Sequence, residues 1–332
     1  MENTNKFKFV KGIPLIPEIH DVEEIERMCD DFEVRDNDVI IMTYPKSGTH
    51  WMIDILSLIY SKGDPTWVKS VPYWKRSPWI EAKGFIGIIK NQVDPRLLTS
   101  HLPIQLFPKS YFTSKAKMIC VARNPRDIIV SLYHFCSQGP FHALWSNFEQ
   151  FFDDFLQGNV NYGSWFDHIK GWLSRRDSEK FLFVTYEELH QDLKASVKKI
   201  CQFLNKELRE EEINLVVENT SFQVMKKHML ENKELVPMEN MESFKMITLR
   251  KAKGDMSEHR EKTMFMARTQ YLNGPQSSKT VISCCRRKIS NNSACPTQGL
   301  NRMLARKLRK ALSHIGTCLL LLLNNPSVTL GS

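Results

Sequence analysis

Three short stretches of this 332-residue chain carry residue types that can hold an anion and move a proton. The first is Tyr44-Pro45-Lys46-Ser47-Gly48-Thr49, set between a strand-like run and a helix-like segment. Backbone N–H groups at a helix start are unpaired and carry the positive end of the dipole, so a phosphate or sulfate fits there. Gly48 permits close backbone approach, Lys46 adds a mobile positive charge, and Ser47 and Thr49 offer hydroxyl donors. Alone, the stretch fits a structural turn with an exposed lysine equally well. It is not a Walker A pattern, because the earlier glycine is absent and Lys46 precedes Ser47-Gly48. The second stretch is Arg123-Asn124-Pro125-Arg126-Asp127, followed by Ser131. Arg123 leaves a strand end, where its guanidinium can fork onto a phosphate, and Ser131 lies about two helical turns further on. A salt bridge within the turn, such as Arg126 with Asp127, is the competing reading. The third is His101, ahead of Leu102-Pro103. A histidine can take a proton near neutral pH, though at this position a plain loop residue is equally compatible with the spacing.

The surrounding pattern supplies elements to position them. Val39 to Thr43 is an apolar, β-branched run suited to a buried strand. Trp51, Ile55, Leu58 and Ile59 then recur with helical spacing. Lys117 to Ala122 predicts a second strand, with a helix after Asp127 running to about Cys136. Phe181 to Val184 predicts a third, followed by one helix carrying Leu189, Leu193, Val197, Ile200 and Leu204. Helices are expected around 147–157, stopped by Gly158, and around 164–173. Repeated strand–turn–helix units predict an α/β fold, a parallel sheet with helices on both faces. Ligands of such sheets bind where strands end and helices begin.

The net charge of +9 invites a polyanion or membrane partner, but it is unevenly spread. Residues 256–332 hold 12 Lys/Arg against 2 Asp/Glu, a net of +10, which leaves residues 1–255 at −1. The predicted division is therefore a body over 1–255 and a basic tail over 256–332. The tail's Asn-, Ser- and Gly-rich stretch at 273–300 predicts disorder, and Leu304 to Leu312 a short basic amphipathic helix. The apolar run Ile315 to Leu323 is about half of what a membrane span needs, so none is expected. Cys29, Cys120, Cys136 and Cys201 have no metal or disulfide spacing and read as core residues of a reducing, cytosolic compartment. Cys284-Cys285 is too weak a signal for either.

Taken together, Thr43 through Trp51, Ser100-His101-Leu102-Pro103 and Arg123 through Asp127 resemble the cytosolic sulfotransferases. Ser70-Val71-Pro72, Arg76-Ser77-Pro78-Trp79, His101 through Ser110, Tyr162 through His168 and Thr220-Ser221-Phe222-Gln223 are similar to the hydroxysteroid (alcohol and bile-acid) subgroup. The resemblance runs from near the N-terminus to about Asp255. It implies a P-loop-like nucleotide-binding architecture, the cofactor 3′-phosphoadenosine 5′-phosphosulfate (PAPS), and sulfuryl transfer to the hydroxyl of a small alcohol. It implies that Lys46, Ser47, Gly48 and Thr49, with His50 adjoining, hold the 5′-phosphosulfate. Arg123 and Ser131 match 3′-phosphate ligands, and Trp51 and Phe222 match the residues flanking adenine. Tyr186, Thr220, Ser221, Gln223, Val224 and Met225 match the remaining nucleotide-binding segments. His101 matches the catalytic base and Lys46 the stabiliser of the leaving phosphate. Trp74, Trp79, Tyr133 and Phe135 are candidates for an apolar acceptor pocket. His50 stands where relatives carry a small polar residue; an extra donor, a second base and a bystander are all open.

The resemblance breaks late. The family's Arg-Lys-Gly-x-x-Gly-Asp-Trp segment, whose first residues help bind the 3′-phosphate, reads Arg250-Lys251-Ala252-Lys253-Gly254-Asp255-Met256 here. If position 252 needs a positive φ, alanine costs about 1–2 kcal/mol. The usual dimerisation segment is absent, although a homodimer stays open. A folded but inactive ligand-binding variant, a nonspecific nucleic-acid or membrane binder acting through its tail, and a P-loop nucleoside kinase are the competing functions. No metal and no specific nucleic acid are expected.

Overall fold

The computed structural model describes residues 7–138 and 144–231. Its centre is a parallel sheet built from β3 (Val39–Thr43), β4 (Leu97–Ser100), β5 (Lys117–Ala122) and β6 (Phe181–Thr185), in the order β4-β3-β5-β6. A short antiparallel hairpin of β1 (Lys8–Val10) and β2 (Ile13–Leu15) stands apart from it. Parallel strands are covered on both faces and so read as continuous apolar runs. Every residue of β3 is buried. Val39, Ile41, Ile119, Val121 and Val184 share one core cluster with Met52, Ile55, Leu56 and Ile59 of the helix Thr49–Tyr60 and with Val197 and Ile200. The alternate residues Ile40, Met42, Met118 and Cys120 point the other way and are just as buried, so helices and loops cover both faces.

The expected strands at 39–43 and 117–122 have those limits, and the third extends to Thr185. The helix Phe148–Gln157 ends at Gly158 in a left-handed cap (φ 79°). One expectation is corrected. The single helix through Leu189 and Leu204 is two helices, Tyr186–Gln191 and Leu193–Leu204. Asp192 breaks them, because its side chain leaves the helical path to accept the Ala195 N–H at 2.9 Å. Strand β4 is a further addition: four residues are too short to carry a periodicity of their own.

The chain runs from β3 outward to β4, then crosses back to β5 and on to β6. Connections thus leave β3 and β5 in opposite directions, which opens a crevice at the carboxyl ends of these two strands. Among the described residues, no helix is long and apolar enough to cross a membrane. The tail 256–332, with Cys284-Cys285, the 273–300 stretch, Leu304 to Leu312 and the run Ile315 to Leu323, lies outside the described residues, as does the late segment at Arg250, Lys251 and Ala252.

Candidate active site

Each of the four parallel strands delivers one site residue just past its carboxyl end: Lys46 after β3, His101 after β4, Arg123 after β5 and Tyr186 after β6. Sequence reading singled out all four as candidates, and the strand order makes them neighbours. Behind β3 the chain turns through left-handed backbone at Lys46 (φ 70°) and Gly48 (φ 102°), and the helix begins at Thr49. Gly48 is required twice over. Its φ suits glycine, and a Cβ there would stand 2.8 Å from Cδ2 of Tyr186.

The donors of this turn are largely uncommitted. Ser47 Oγ and Arg123 Nε are buried without a hydrogen-bond partner. Arg123 is only 4% exposed, donates to the Lys46 carbonyl at 3.1 Å and lies 4.2 Å over the Tyr186 ring. Lys46 forms no ion pair with the described residues and rests its ammonium 4.7 Å over the Phe135 ring. Burial lowers its pKa to about 8, with the nearby Arg123 charge acting in the same direction. A half-buried lysine, a buried arginine and a buried hydroxyl at a helix start, all short of partners, fit an anionic phosphosulfate.

Trp51 borders the same crevice. Its indole donates to the Thr220 carbonyl at 2.9 Å and meets Tyr186 edge-on at 5.4 Å. Ser131 lies half-buried on the helix Pro125–Gln138. Ser221, Val224 and Met225 are half-buried at the start of the helix Phe222–Glu231, where Gln223 is exposed and Phe222 is 52% exposed.

The geometry around His101 fixes its tautomer. Nδ1 lies 2.8 Å from the Thr43 carbonyl, which can only accept, so Nδ1 carries the proton. Nε2 lies 3.0 Å from the Trp79 indole nitrogen, which can only donate, so Nε2 is unprotonated and its lone pair accepts that N–H. The Thr43 hydroxyl bridges Nδ1 at 3.0 Å and the Thr49 hydroxyl at 2.8 Å, tying the base to the first residue of the phosphate-turn helix. Burial lowers the His101 pKa to about 4. The Thr43 bond opposes that shift, and the charges of His20 and Lys46 add to it.

A buried layer supports this imidazole. Glu81 accepts the His101 backbone N–H at 2.7 Å and the Tyr162 hydroxyl at 3.4 Å. Burial raises the Glu81 pKa to about 7, against its hydrogen bonds to His101, its own backbone, Ser100 and Tyr162. His168 donates from Nε2 to the His101 carbonyl at 3.1 Å. Sequence reading missed Thr43, Glu81 and His168 as site residues. Thr43, next to the turn, and His168, at the end of the stretch Tyr162 through His168, each lay in a segment that carries the resemblance, whereas Glu81 had no signal.

The candidate pocket residues separate. Trp79 touches the base, and Phe135 lies under Lys46. Trp74 packs edge-on against Phe85 at 6.1 Å. Tyr133 turns to the helix Phe148–Gln157, with its ring 5.1 Å from Phe148 and 5.5 Å from Phe151. His50 stacks on Tyr73 at 4.2 Å and meets Trp79 edge-on at 5.9 Å. Burial first, and then the charges of Lys46, His101 and Arg76, push its pKa to about 3. His50 is therefore neutral at pH 7.

The family model for the sulfotransferase domain matches residues 36–270. This chain belongs to the sulfotransferase family. It is similar to sulfotransferase 2A1 of Macaca fascicularis, 49% identical over 237 residues, which cover 71% of this chain and 83% of that one. It is 53% identical to the 3-beta-hydroxysteroid sulfotransferase of Cavia porcellus over 215 residues, 65% of this chain and 75% of the relative. Among solved structures it is similar to mouse sulfotransferase SULT7A1 complexed with PAP, with a TM-score of 0.57, 28% identity and coverage of 67% of this chain and 75% of that one. The sulfotransferase fold accounts for the four strand ends meeting in one crevice.

Proposed function

We propose that this sulfotransferase moves the sulfuryl group of PAPS to the hydroxyl of a hydroxysteroid, bile acid or similar compact alcohol. The relatives named for hydroxysteroid sulfation support the acceptor class. The observation that carries the mechanism is the unprotonated Nε2 of His101, which accepts the Trp79 N–H, at the same carboxyl end of the sheet as the partner-short donors of Ser47 and Arg123. PAPS, when bound, supplies a sulfuryl group attached to a phosphate leaving group. His101 Nε2 takes the acceptor proton, and Nδ1–H stays on Thr43. Lys46, Ser47 and the N–H groups at Thr49 neutralise the charge that develops on the departing phosphate oxygen. Arg123 and Ser131, with Arg250 and Lys251, hold the 3′-phosphate, and Trp51, Tyr186, Thr220 and Phe222 bound the adenosine. Trp79 and Phe135, which touch His101 and Lys46, wall the acceptor. A cytosolic location belongs to this reading and is supported by four buried, unpaired cysteines. Homodimerisation belongs to this reading too.

The test is transfer of radiolabelled sulfate from PAPS to a 3-hydroxysteroid by the purified full chain. Turnover is expected. A rate no better than that of His101→Ala would overturn the reading.

A further inference from the structure

Trp79 does more than border an apolar pocket. Its backbone is pinned: Pro78 and Ile80 hydrogen-bond Thr99 of β4 at 2.9 and 3.0 Å, and Trp79 pairs with Thr99 as an isolated parallel bridge. Its ring is held edge-on by Tyr73 at 6.0 Å and by His50 at 5.9 Å. This mounting aims the indole N–H at the one lone pair of His101 that can accept a proton, 3.0 Å away. We infer that Trp79 is a positioning residue that holds the Nε2 lone pair of His101 until an acceptor hydroxyl displaces its N–H. The inference rests on the reading of His101 as the base.

The consequence is a base kept in register but shielded from idle protonation. An indole N–H on Nε2 stabilises the neutral imidazole, because the imidazolium has no lone pair left to accept it. An arriving hydroxyl takes over the lone pair. Its proton passes to Nε2 as the oxygen–sulfur bond forms, and the sulfur–oxygen bond to phosphate breaks with its electron pair going to the phosphate oxygen. His50 contributes by packing. Its neutral ring packs edge-on against the indole at 5.9 Å and restricts its movement. The other groups facing this imidazole are Lys46, His20, Glu81, Tyr162 and His168, and they are unchanged by a substitution at Trp79.

The experiment is Trp79→Phe in the full chain, which keeps a ring and removes the donor. His101 is titrated by NMR, and kcat/KM is followed against pH. The His101 pKa and the acid limb are expected to rise together by about half to one unit, the effect of losing one net hydrogen bond to the neutral form. An unmoved limb and titration overturn the inference even if acceptor KM changes, since a wall residue alone alters KM. In the unsubstituted protein, adding 3′-phosphoadenosine 5′-phosphate and a 3-hydroxysteroid should shift the Trp79 indole proton upfield as its hydrogen bond is released. An unchanged resonance overturns the inference without reliance on a variant. His101→Ala separates the two levels. If it retains transfer, the base assignment falls and the inference with it. If it is inactive while Trp79→Phe leaves the titration unmoved, only the inference falls.

Discussion

Burial disfavours the charged form of both principal groups of the site, with different consequences at pH 7. It lowers the His101 pKa to about 4 and so keeps the imidazole neutral and able to accept a proton at pH 7. It lowers the Lys46 pKa to about 8, close to the point where the cation is lost. The kcat/KM profile of the free enzyme is therefore expected to be bell-shaped. Its acid limb lies near 4, where His101 gains a proton, and its alkaline limb near 8, where Lys46 loses one. Lys46→Arg keeps its charge at high pH and should abolish the alkaline limb; a limb that persists would belong to another group. His101→Ala should lower kcat by about 10²–10⁴-fold while leaving nucleotide affinity intact, as read by calorimetry. The residue types at 46, 101 and 123 were legible in the sequence. The tautomer of His101 was not, because it is set by Thr43 and Trp79, which lie far from it along the chain.

At the scale of elements, the phosphate turn and the acceptor wall are fastened to one helix. Arg76, next to the wall residues, donates to Asp54 at 2.7 Å, to Ser57 at 2.6 Å and to the Val71 carbonyl at 2.9 Å. Asp54 and Ser57 belong to the helix Thr49–Tyr60 that starts from the turn. The pair is nearly enclosed, with side-chain exposures of 3% and 13%. Arg76→Met leaves Asp54 uncompensated and should cost about 3–5 kcal/mol in urea unfolding. Adding Asp54→Leu should recover most of that loss, and no recovery would show that the cost is packing alone. Gly48→Ala tests the turn. Strain at φ 102° and the 2.8 Å approach to Tyr186 should weaken nucleotide binding at least about tenfold, an effect of the size that one left-handed non-glycine residue costs. The strands at 39–43 and 117–122 were legible because continuous apolar runs mark buried parallel strands. Strand β4 was too short to show itself, and the break at Asp192 depended on a capping bond that apolar spacing does not encode.

For the whole molecule, the net charge of +9 has little to do with the crevice. The charge of the site is local, in Lys46 and Arg123, with Arg250 and Lys251 proposed beside them. In the full chain, 3′-phosphoadenosine 5′-phosphate at 100 times its Kd should stabilise the fold by about 2.7 kcal/mol, and at the same concentration a nucleotide lacking the 3′-phosphate should raise Tm less. The double substitution Arg250→Ala and Lys251→Ala should shrink that difference. Equal shifts for the two nucleotides would remove the 3′-phosphate site from the proposal. Local backbone encodes a strand, a glycine-dependent turn and a helix start around Lys46, and the basic strand exit at Arg123, and all of these can be read from the residues alone. Adjacent residues settle those features, because dihedral preferences and apolar periodicity act over a few positions. That Lys46, His101, Arg123 and Tyr186 share one crevice, and that Trp79 and Thr43 orient the His101 imidazole, emerges from long-range contacts alone. Those contacts follow from the strand order β4-β3-β5-β6, which pairs segments far apart along the chain, and no local pattern records that choice.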